Sequence, residues 1–279
     1  MPHFHSETFG AAACRLRRGS GRKGAGLKTA LVTGSARRLG REIALRLAQE
    51  GYFTFVHYRG SRTEAAATLR ALEMRGGKGA LVQGDVGNPV DIKSMVAAIR
   101  RTTGRLDVLV NNVGVYKPGS LLRYSAEDFE TTLRVNLSGC FRLIQSTLTL
   151  FPSSGGSIVN IGYAGVESMT GTTHNTAYLI SKTGLLILTR SLAQALGSKK
   201  IRVNMVSPGI LSNSVELPRS PKEWIPLGYT GSVGDVADAV LFLTGKNARY
   251  ITGVNLDVSG GYNSGLRSLE TGGPSARKK

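Results

Sequence analysis

Cysteine is nearly absent from this 279-residue chain: there are two, Cys14 and Cys140. Two thiols in such different contexts exclude a disulfide framework. With the four histidines His3, His5, His57 and His174 they form no metal-ligand spacing, so no metal is expected. Long apolar runs are also missing. None approaches the roughly 20 residues that a bilayer-spanning helix needs, so no membrane association is expected. Acidic residues are scarce as well, with 18 Asp and Glu against 36 Lys and Arg, a formal net charge of +18. Such an excess favours anionic ligands. It contains no block of five or six contiguous basic residues and no zinc-finger or basic-zipper pattern, so nucleic acid is not an expected partner.

What is present is an alternation. Thr29 to Thr33, Phe53 to Tyr58, Gly79 to Gln83, Leu106 to Asn111, Ser157 to Ile161, Ile201 to Val206 and Val254 to Val258 are short and rich in aliphatic and β-branched residues. Most show little polar alternation, which predicts parallel strands buried on both faces. Helical patterns separate them: Leu39 to Glu50, Arg62 to Arg75, Pro89 to Thr103, Ala126 to Phe151, Thr176 to Leu196 and Val233 to Leu243. Repeated β-α-β units predict one doubly wound α/β domain of the Rossmann type over residues 27–264, a seven-stranded parallel sheet with helices on both faces. The Arg- and Gly-rich residues 1–26 predict a disordered basic arm, and 265–279 a flexible tail. The arm's Arg-rich, acid-poor composition also fits an organelle transit peptide, but it lacks the amphipathic helix of one, and a cytoplasmic location is expected.

In such a fold the first strand-to-helix turn receives a dinucleotide's pyrophosphate, because free backbone N–H groups and the helix dipole converge there. The stretch TGSARRLG, residues 33–40, occupies that place. Gly34, Ser35, Arg37, Arg38, Leu39 and Gly40 are therefore candidate cofactor contacts. An NAD-selective site places a carboxylate at the end of the second strand to bind the ribose 2′-OH. Here that stretch is His57, Tyr58, Arg59, Gly60 and Ser61, with no carboxylate until Glu64. Guanidinium groups bind a 2′-phosphate that a carboxylate would repel. His57, Tyr58, Arg59 and Ser61, with Arg38 and Arg37, thus point to NADP(H).

YLISK, residues 178–182, sets Tyr178 and Lys182 one helical turn apart on one face. A free phenol titrates near ~10, too high for easy proton exchange at neutral pH. A neighbouring ammonium stabilises the phenolate and makes Tyr178 a usable general acid.

Together these motifs resemble the short-chain dehydrogenase/reductase family from Lys28 to Tyr262. TGSARRLG is similar to its T-G-x-x-x-G-x-G turn, with Arg38 for the middle glycine. NNVG (111–114) is similar to its N-N-A-G, and the resemblance adds Asn112 and Gly114 to the cofactor contacts. GDV (84–86) adds Asp85 and Val86 beside the adenine, and SPGI (207–210) adds Pro208, Gly209 and Ile210 beside the nicotinamide. Asn213 stands where the family usually has threonine. Asn136 holds the position that supports a water-mediated proton relay to the lysine. The family's substrate-orienting serine is replaced by Tyr163 in the stretch NIGY. A phenol can donate the same hydrogen bond; alternatively Tyr163 only packs, and Ser168 and His174 in the following loop are the other candidates.

The resemblance implies an NADPH-dependent reductase of a carbonyl or imine small molecule. The turn and second strand are similar to pteridine reductases, the second half to 3-oxoacyl-thioester reductases. A catalytically weak NADP(H) sensor or polyanion-binding protein is the competing class. A homodimer or homotetramer through the two long helical segments, 126–151 and 176–196, is expected, because they are apolar over much of their circumference.

Overall fold

Successive side chains of a strand point to opposite faces of its sheet; in the five inner strands both faces are buried, whereas the edge strands Lys78–Gln83 and Asn255–Val258 are mostly half-buried or exposed because each has a neighbour on one side only. In β1 (Thr29–Val32), Leu31 enters one apolar cluster while Ala30 and Val32 enter another. Strand β4 (Val108–Asn111) repeats this, with Leu109 on the first side and Val108 and Val110 on the second. Double burial is why these segments read as unbroken apolar runs. The computed structural model describes residues 27–214, 217 and 220–262. The expected arm at 1–26 and tail at 265–279 lie outside the described residues.

The other strands are β2 (Phe53–Tyr58), β3 (Lys78–Gln83), β5 (Gly156–Ile161), β6 (Ile201–Pro208) and β7 (Asn255–Val258). All seven are parallel, in the order β3-β2-β1-β4-β5-β6-β7. Helices α1 (Arg38–Gln49), α2 (Arg62–Met74), α3 (Pro89–Thr102), α4 (Ala126–Leu133), α5 (Cys140–Thr147), α6 (Thr176–Ala195) and α7 (Val233–Thr244) connect them. This is the doubly wound parallel sheet that the alternation predicts. The chain winds outward from β1 to β3, then returns to lay β4 against the free edge of β1. That reversal opens a crevice at the strands' C-terminal ends, where doubly wound folds take their ligands. No helix among the described residues is long and apolar enough to cross a membrane.

One helical segment departs from expectation. Ala126 to Phe151 is not a single α-helix: α4 passes into a π-helical turn over Arg134–Gly139, then α5, then a 3₁₀ turn over Leu148–Leu150. A π turn widens the hydrogen-bond ladder locally and commonly marks a functional position. This one carries Asn136. Gly139 lets the same turn press against the loop after β3, since a Cβ there would lie 2.5 Å from the Val86 carbonyl oxygen.

Candidate active site

The phosphate turn follows β1 without a break. Gly34 adopts the left-handed conformation (φ 65°), and Gly40 passes so close to it that a Cβ would sit 2.4 Å from the Gly34 carbonyl oxygen. Arg38, at the position of the family's middle glycine, is itself left-handed at φ 51°. That conformation costs an L-residue about 1–2 kcal/mol, so the turn's path is held by its surroundings and not by local preference. The first-turn amides of α1 have no intrahelical acceptor, the feature by which helix N-termini take anions.

Three neighbours hold the turn. His57, at the end of β2, is buried; its Nδ1 accepts from the Gly34 N–H (2.8 Å) and its Nε2 lies 3.0 Å from the Gly84 carbonyl. Burial pushes its pKa down to about 4, so it is neutral with the proton on Nε2, donated to Gly84. Ser35 donates its hydroxyl to the Val32 carbonyl (2.7 Å) and accepts from the His57 N–H (2.9 Å), while its own N–H goes to the His57 carbonyl (3.0 Å). Asn112 donates to the Thr33 and Gly34 carbonyls at 2.8 and 3.3 Å. The polar groups of Ser35 and His57 are thus spent on the backbone. Both were expected as cofactor contacts; in the structure their polar groups brace the turn, and His57 also lines the cavity beside it. Leu39 is half-buried against the core on the α7 side of the sheet.

A cavity of about 340 Å³ lies beside the turn. Gly34, Arg37, His57, Tyr58, Arg59, Ser61 and Asp85 line it, together with Val86 and Gly114. Arg37 donates to the Ser61 hydroxyl (3.1 Å), and Arg59 pairs with Asp85 (3.2 Å). Asp85 also accepts from the Gly87 N–H (2.7 Å). Arg38, exposed on the first turn of α1, is not among the lining residues. The cavity therefore presents cations where a 2′-phosphate would lie, and its carboxylate is already paired with Arg59. These residues fit NADP(H).

At the reacting end, Lys182 is buried with its Nζ donating to the Ile161 carbonyl at the tip of β5 (2.7 Å) and lying 5.5 Å from the centroid of the Tyr178 ring. Burial pushes its pKa down to about 8. Burial and the neighbouring Tyr163 and Tyr116 phenols push the Tyr178 pKa above the ordinary phenol value, so Tyr178 keeps its proton. The Asn136 side chain accepts from the Val115 N–H (2.7 Å) and donates to the Val115 carbonyl (3.0 Å) and the Ser181 hydroxyl (3.0 Å). Ser181 in turn donates to the Tyr178 carbonyl (2.6 Å). One side chain thereby ties the loop after β4 to the helix carrying Tyr178 and Lys182. Below them Asn111, Asn160 and Thr189 form a buried hydrogen-bonded row from β4 through β5 to α6.

Tyr178 stands between two other tyrosines. Its ring meets Tyr116 edge-on at 5.1 Å between centroids and Tyr163 at 5.7 Å. Tyr163 is half-buried, its hydroxyl turned to Tyr262 and Asn175, and burial pushes its pKa up to about 12. The Ser168 hydroxyl is turned back onto the Gly165 carbonyl (2.7 Å). The backbone of His174 accepts from the Gly119 N–H (2.7 Å), which ties its loop to the one after β4. Pro208 and Gly209 leave the end of β6; the Pro208 carbonyl accepts from Ala164 N–H (3.0 Å), and Ser259 packs so tightly on Gly209 that a Cβ would lie 2.7 Å away. Ile210 continues the same edge, its carbonyl accepting from the Gly231 N–H (3.1 Å). Asn213 is exposed beyond it.

Sequence reasoning passed over Tyr116, Ser181 and Thr33. The Thr33 hydroxyl accepts from the amides of Asn112 and Val113 (2.9 and 3.1 Å), which locks the loop after β4 onto the phosphate turn. Its place at the end of a buried strand was a usable signal. Tyr116 carried none, since only the folded loop brings it to Tyr178.

A family model described as enoyl-(acyl carrier protein) reductase matches residues 34–263. The chain is 35% identical over 241 residues to the 3-oxoacyl-[acyl-carrier-protein] reductase of Staphylococcus aureus, covering 84% of this chain and 97% of that protein. The chain belongs to the short-chain dehydrogenase/reductase family. Another dehydrogenase/reductase relative, 3beta-hydroxysteroid dehydrogenase 1 of Eggerthella lenta, is 33% identical over 242 residues, covering 84% of this chain and 93% of the relative. Among solved structures, a blue fluorescent protein from a metagenomic library in complex with NADPH superposes with TM-score 0.79 at 35% identity, covering 85% of this chain and 98% of that one. A landomycin C-6 ketoreductase with bound NADP and rabelomycin gives 0.79 at 32% identity, covering 86% and 98%.

Proposed function

We propose that this short-chain dehydrogenase/reductase uses NADPH to reduce a ketone of the 3-oxoacyl type. The observation that carries the reading is the conjunction of a proton-bearing Tyr178 beside a buried Lys182 with an arginine-lined cavity at the phosphate turn of the same crevice. Arg37 and Arg59, helped by Ser61, would hold the 2′-phosphate, with Arg38 adding charge from the rim. The α1 amides would hold the pyrophosphate, Asp85 and Val86 the adenosine, and Pro208, Gly209, Ile210 and Gly114 the nicotinamide end. Bound there, the dihydronicotinamide supplies the hydride.

Tyr178 donates its proton to the carbonyl oxygen as negative charge develops there. The Lys182 ammonium stabilises the phenolate left behind. Asn136 holds the loop after β4 and α6 in register, and the water-mediated relay to Lys182 is its role by resemblance. Tyr163 walls the pocket through its ring, because its hydroxyl is engaged by Tyr262 and Asn175. An acyl body suits the surroundings: the exposed Leu122 and Met169 lie on two loops cross-linked through Gly119–His174 and Leu121–Thr173.

Exposed Phe141 on α5 and Ile180 and Ile187 on α6 leave an apolar helix face, and we read this face as the contact of a homodimer or homotetramer in the cytoplasm. The domain is taken to span residues 27–264. Steady-state turnover of a 3-oxoacyl thioester with NADPH and with NADH tests the reading. NADPH should be preferred, and Arg37→Ala and Arg59→Ala should each reduce the preference about tenfold or more, the value of one charge-assisted contact. Equal use of both cofactors by the parent, or no turnover of any ketone, would refute it.

A further inference from the structure

A second cavity, of about 780 Å³, lies at the opposite end of the sheet from the candidate active site. It opens where the chain enters β1, β4, β5, β6 and β7, the ends that a doubly wound fold does not use for its dinucleotide. Six cations line it: Lys28, Arg105, Lys200, Arg202, Lys246 and Arg249. The one carboxylate among the lining residues, Asp107, is consumed locally. It accepts from Arg105 at 2.6 to 3.1 Å and from the Thr29 N–H at 2.9 Å. The remaining cations thus share one concavity without a counter-charge on its walls, and like charges held together in this way repel.

Arg202 is the sharpest case. Its guanidinium is half-buried at the start of β6 and meets only neutral backbone oxygens: Nη1 donates to Leu243 (2.6 Å) and Ile251 (3.4 Å), Nη2 to Gly245 (3.5 Å). Burial without a carboxylate pushes its pKa below the ordinary arginine value. Two of these acceptors are carbonyls at the C-terminal end of α7, which offset the charge only in part; no carboxylate completes the guanidinium, and an oxyanion in the cavity would do so. Lys200, Lys246 and Arg249 stand exposed around it, and beside them the Tyr250 ring is fully exposed at 100%. An aromatic face next to a group of cations suits a ligand with a flat base and several phosphates. The volume falls within the range of small-molecule sites and exceeds what a bare phosphate would fill.

We propose that this cavity is a second anion site, distinct from the cofactor crevice, that binds a nucleoside di- or triphosphate with its phosphates on Arg202, Lys200, Lys246 and Arg249 and its base on Tyr250. The cofactor residues lie at the other ends of the strands, so occupancy here does not depend on the reductase reading.

Calorimetric titration of the full-length chain with ATP, and separately with inorganic triphosphate, tests the site at physiological salt. Lys246→Glu/Arg249→Glu should weaken both probes at least about tenfold while NADPH affinity and turnover stay at parent values. Tyr250→Ala should weaken ATP and leave triphosphate unchanged. Parent-like binding in Lys246→Glu/Arg249→Glu would overturn the proposal. So would an equal loss in the remote control Arg100→Glu/Arg101→Glu, which would mark diffuse attraction. A loss confined to Arg37→Ala/Arg59→Ala would place the binding in the cofactor cavity and overturn it too, as would tighter binding of single-stranded RNA than of ATP. Indifference of ATP to Tyr250→Ala would overturn the nucleoside assignment.

Discussion

Acidification should loosen the phosphate turn through a single buried imidazole. His57 is 2% exposed, and burial lowers its pKa from 6.5 to about 4. Because the folded value lies below the unfolded one, the unfolded chain binds the proton first. The stabilising contribution is therefore complete above pH 6.5 and is lost as pH falls towards 4. The linkage relation gives about 2 kcal/mol lost by pH 5 and about 3 kcal/mol below pH 4. For a chain of this size that is a fall in melting temperature of roughly 4–8 °C by pH 5. The structural cause is specific: a protonated Nδ1 cannot accept from the Gly34 N–H. The assay is thermal unfolding of the parent and His57→Gln from pH 8 to pH 5. Carboxylates titrate in both proteins, so the difference between the two curves isolates the imidazole. The stability gap should close as pH falls, and the KM for NADPH should rise in the parent over the same range. A constant gap across the range would refute the reasoning.

Other outcomes follow from the same geometry. Tyr163→Phe keeps the ring against Tyr178 and removes a hydroxyl already engaged elsewhere, so turnover should fall less than about tenfold; a loss of roughly 10²–10³ would show that the hydroxyl serves the developing oxyanion. Lys182, with a pKa lowered to about 8, should impose a fall in kcat/KM for reduction as pH rises through that value, and a flat profile from pH 7 to 9 would contradict its role. Phe141→Glu/Ile187→Glu should dissociate the assembly in light scattering at micromolar concentration, and a parent already monomeric there would contradict the helix-face contact.

The fold was legible because a sheet buried on both faces writes unbroken apolar strands, and helices punctuate them at regular intervals. The break at Arg134–Gly139 was not legible. A π turn leaves the apolar pattern of its flanks almost unchanged, and the Asn136 bond to Val115 that it presents is a contact across 21 residues. Tyr178 and Lys182 could be read from spacing because one helix carries both. The bracing contacts of Ser35 and His57 could not be, since both sit inside segments that read as cofactor contacts while their polar atoms turn back to the backbone. Arg37 and Arg38 are adjacent in sequence, and only the left-handed backbone at Arg38 decides that Arg37 lines the cavity and Arg38 does not. Tyr116 reaches Tyr178 through loop closure, to which no local pattern corresponds.

The central claim is that Tyr178 gives a proton to a ketone oxygen as the carbon receives hydride from NADPH in this crevice. Its most direct test is reduction of a 3-oxoacyl thioester with NADPH carrying deuterium at the transferring position, followed by mass and NMR analysis of the alcohol, for the parent and Tyr178→Phe. The account predicts deuterium on the carbinol carbon with the parent, and turnover lowered about 10²–10⁴-fold in Tyr178→Phe with NADPH affinity unchanged. An unlabelled alcohol, or undiminished turnover in Tyr178→Phe, would contradict it.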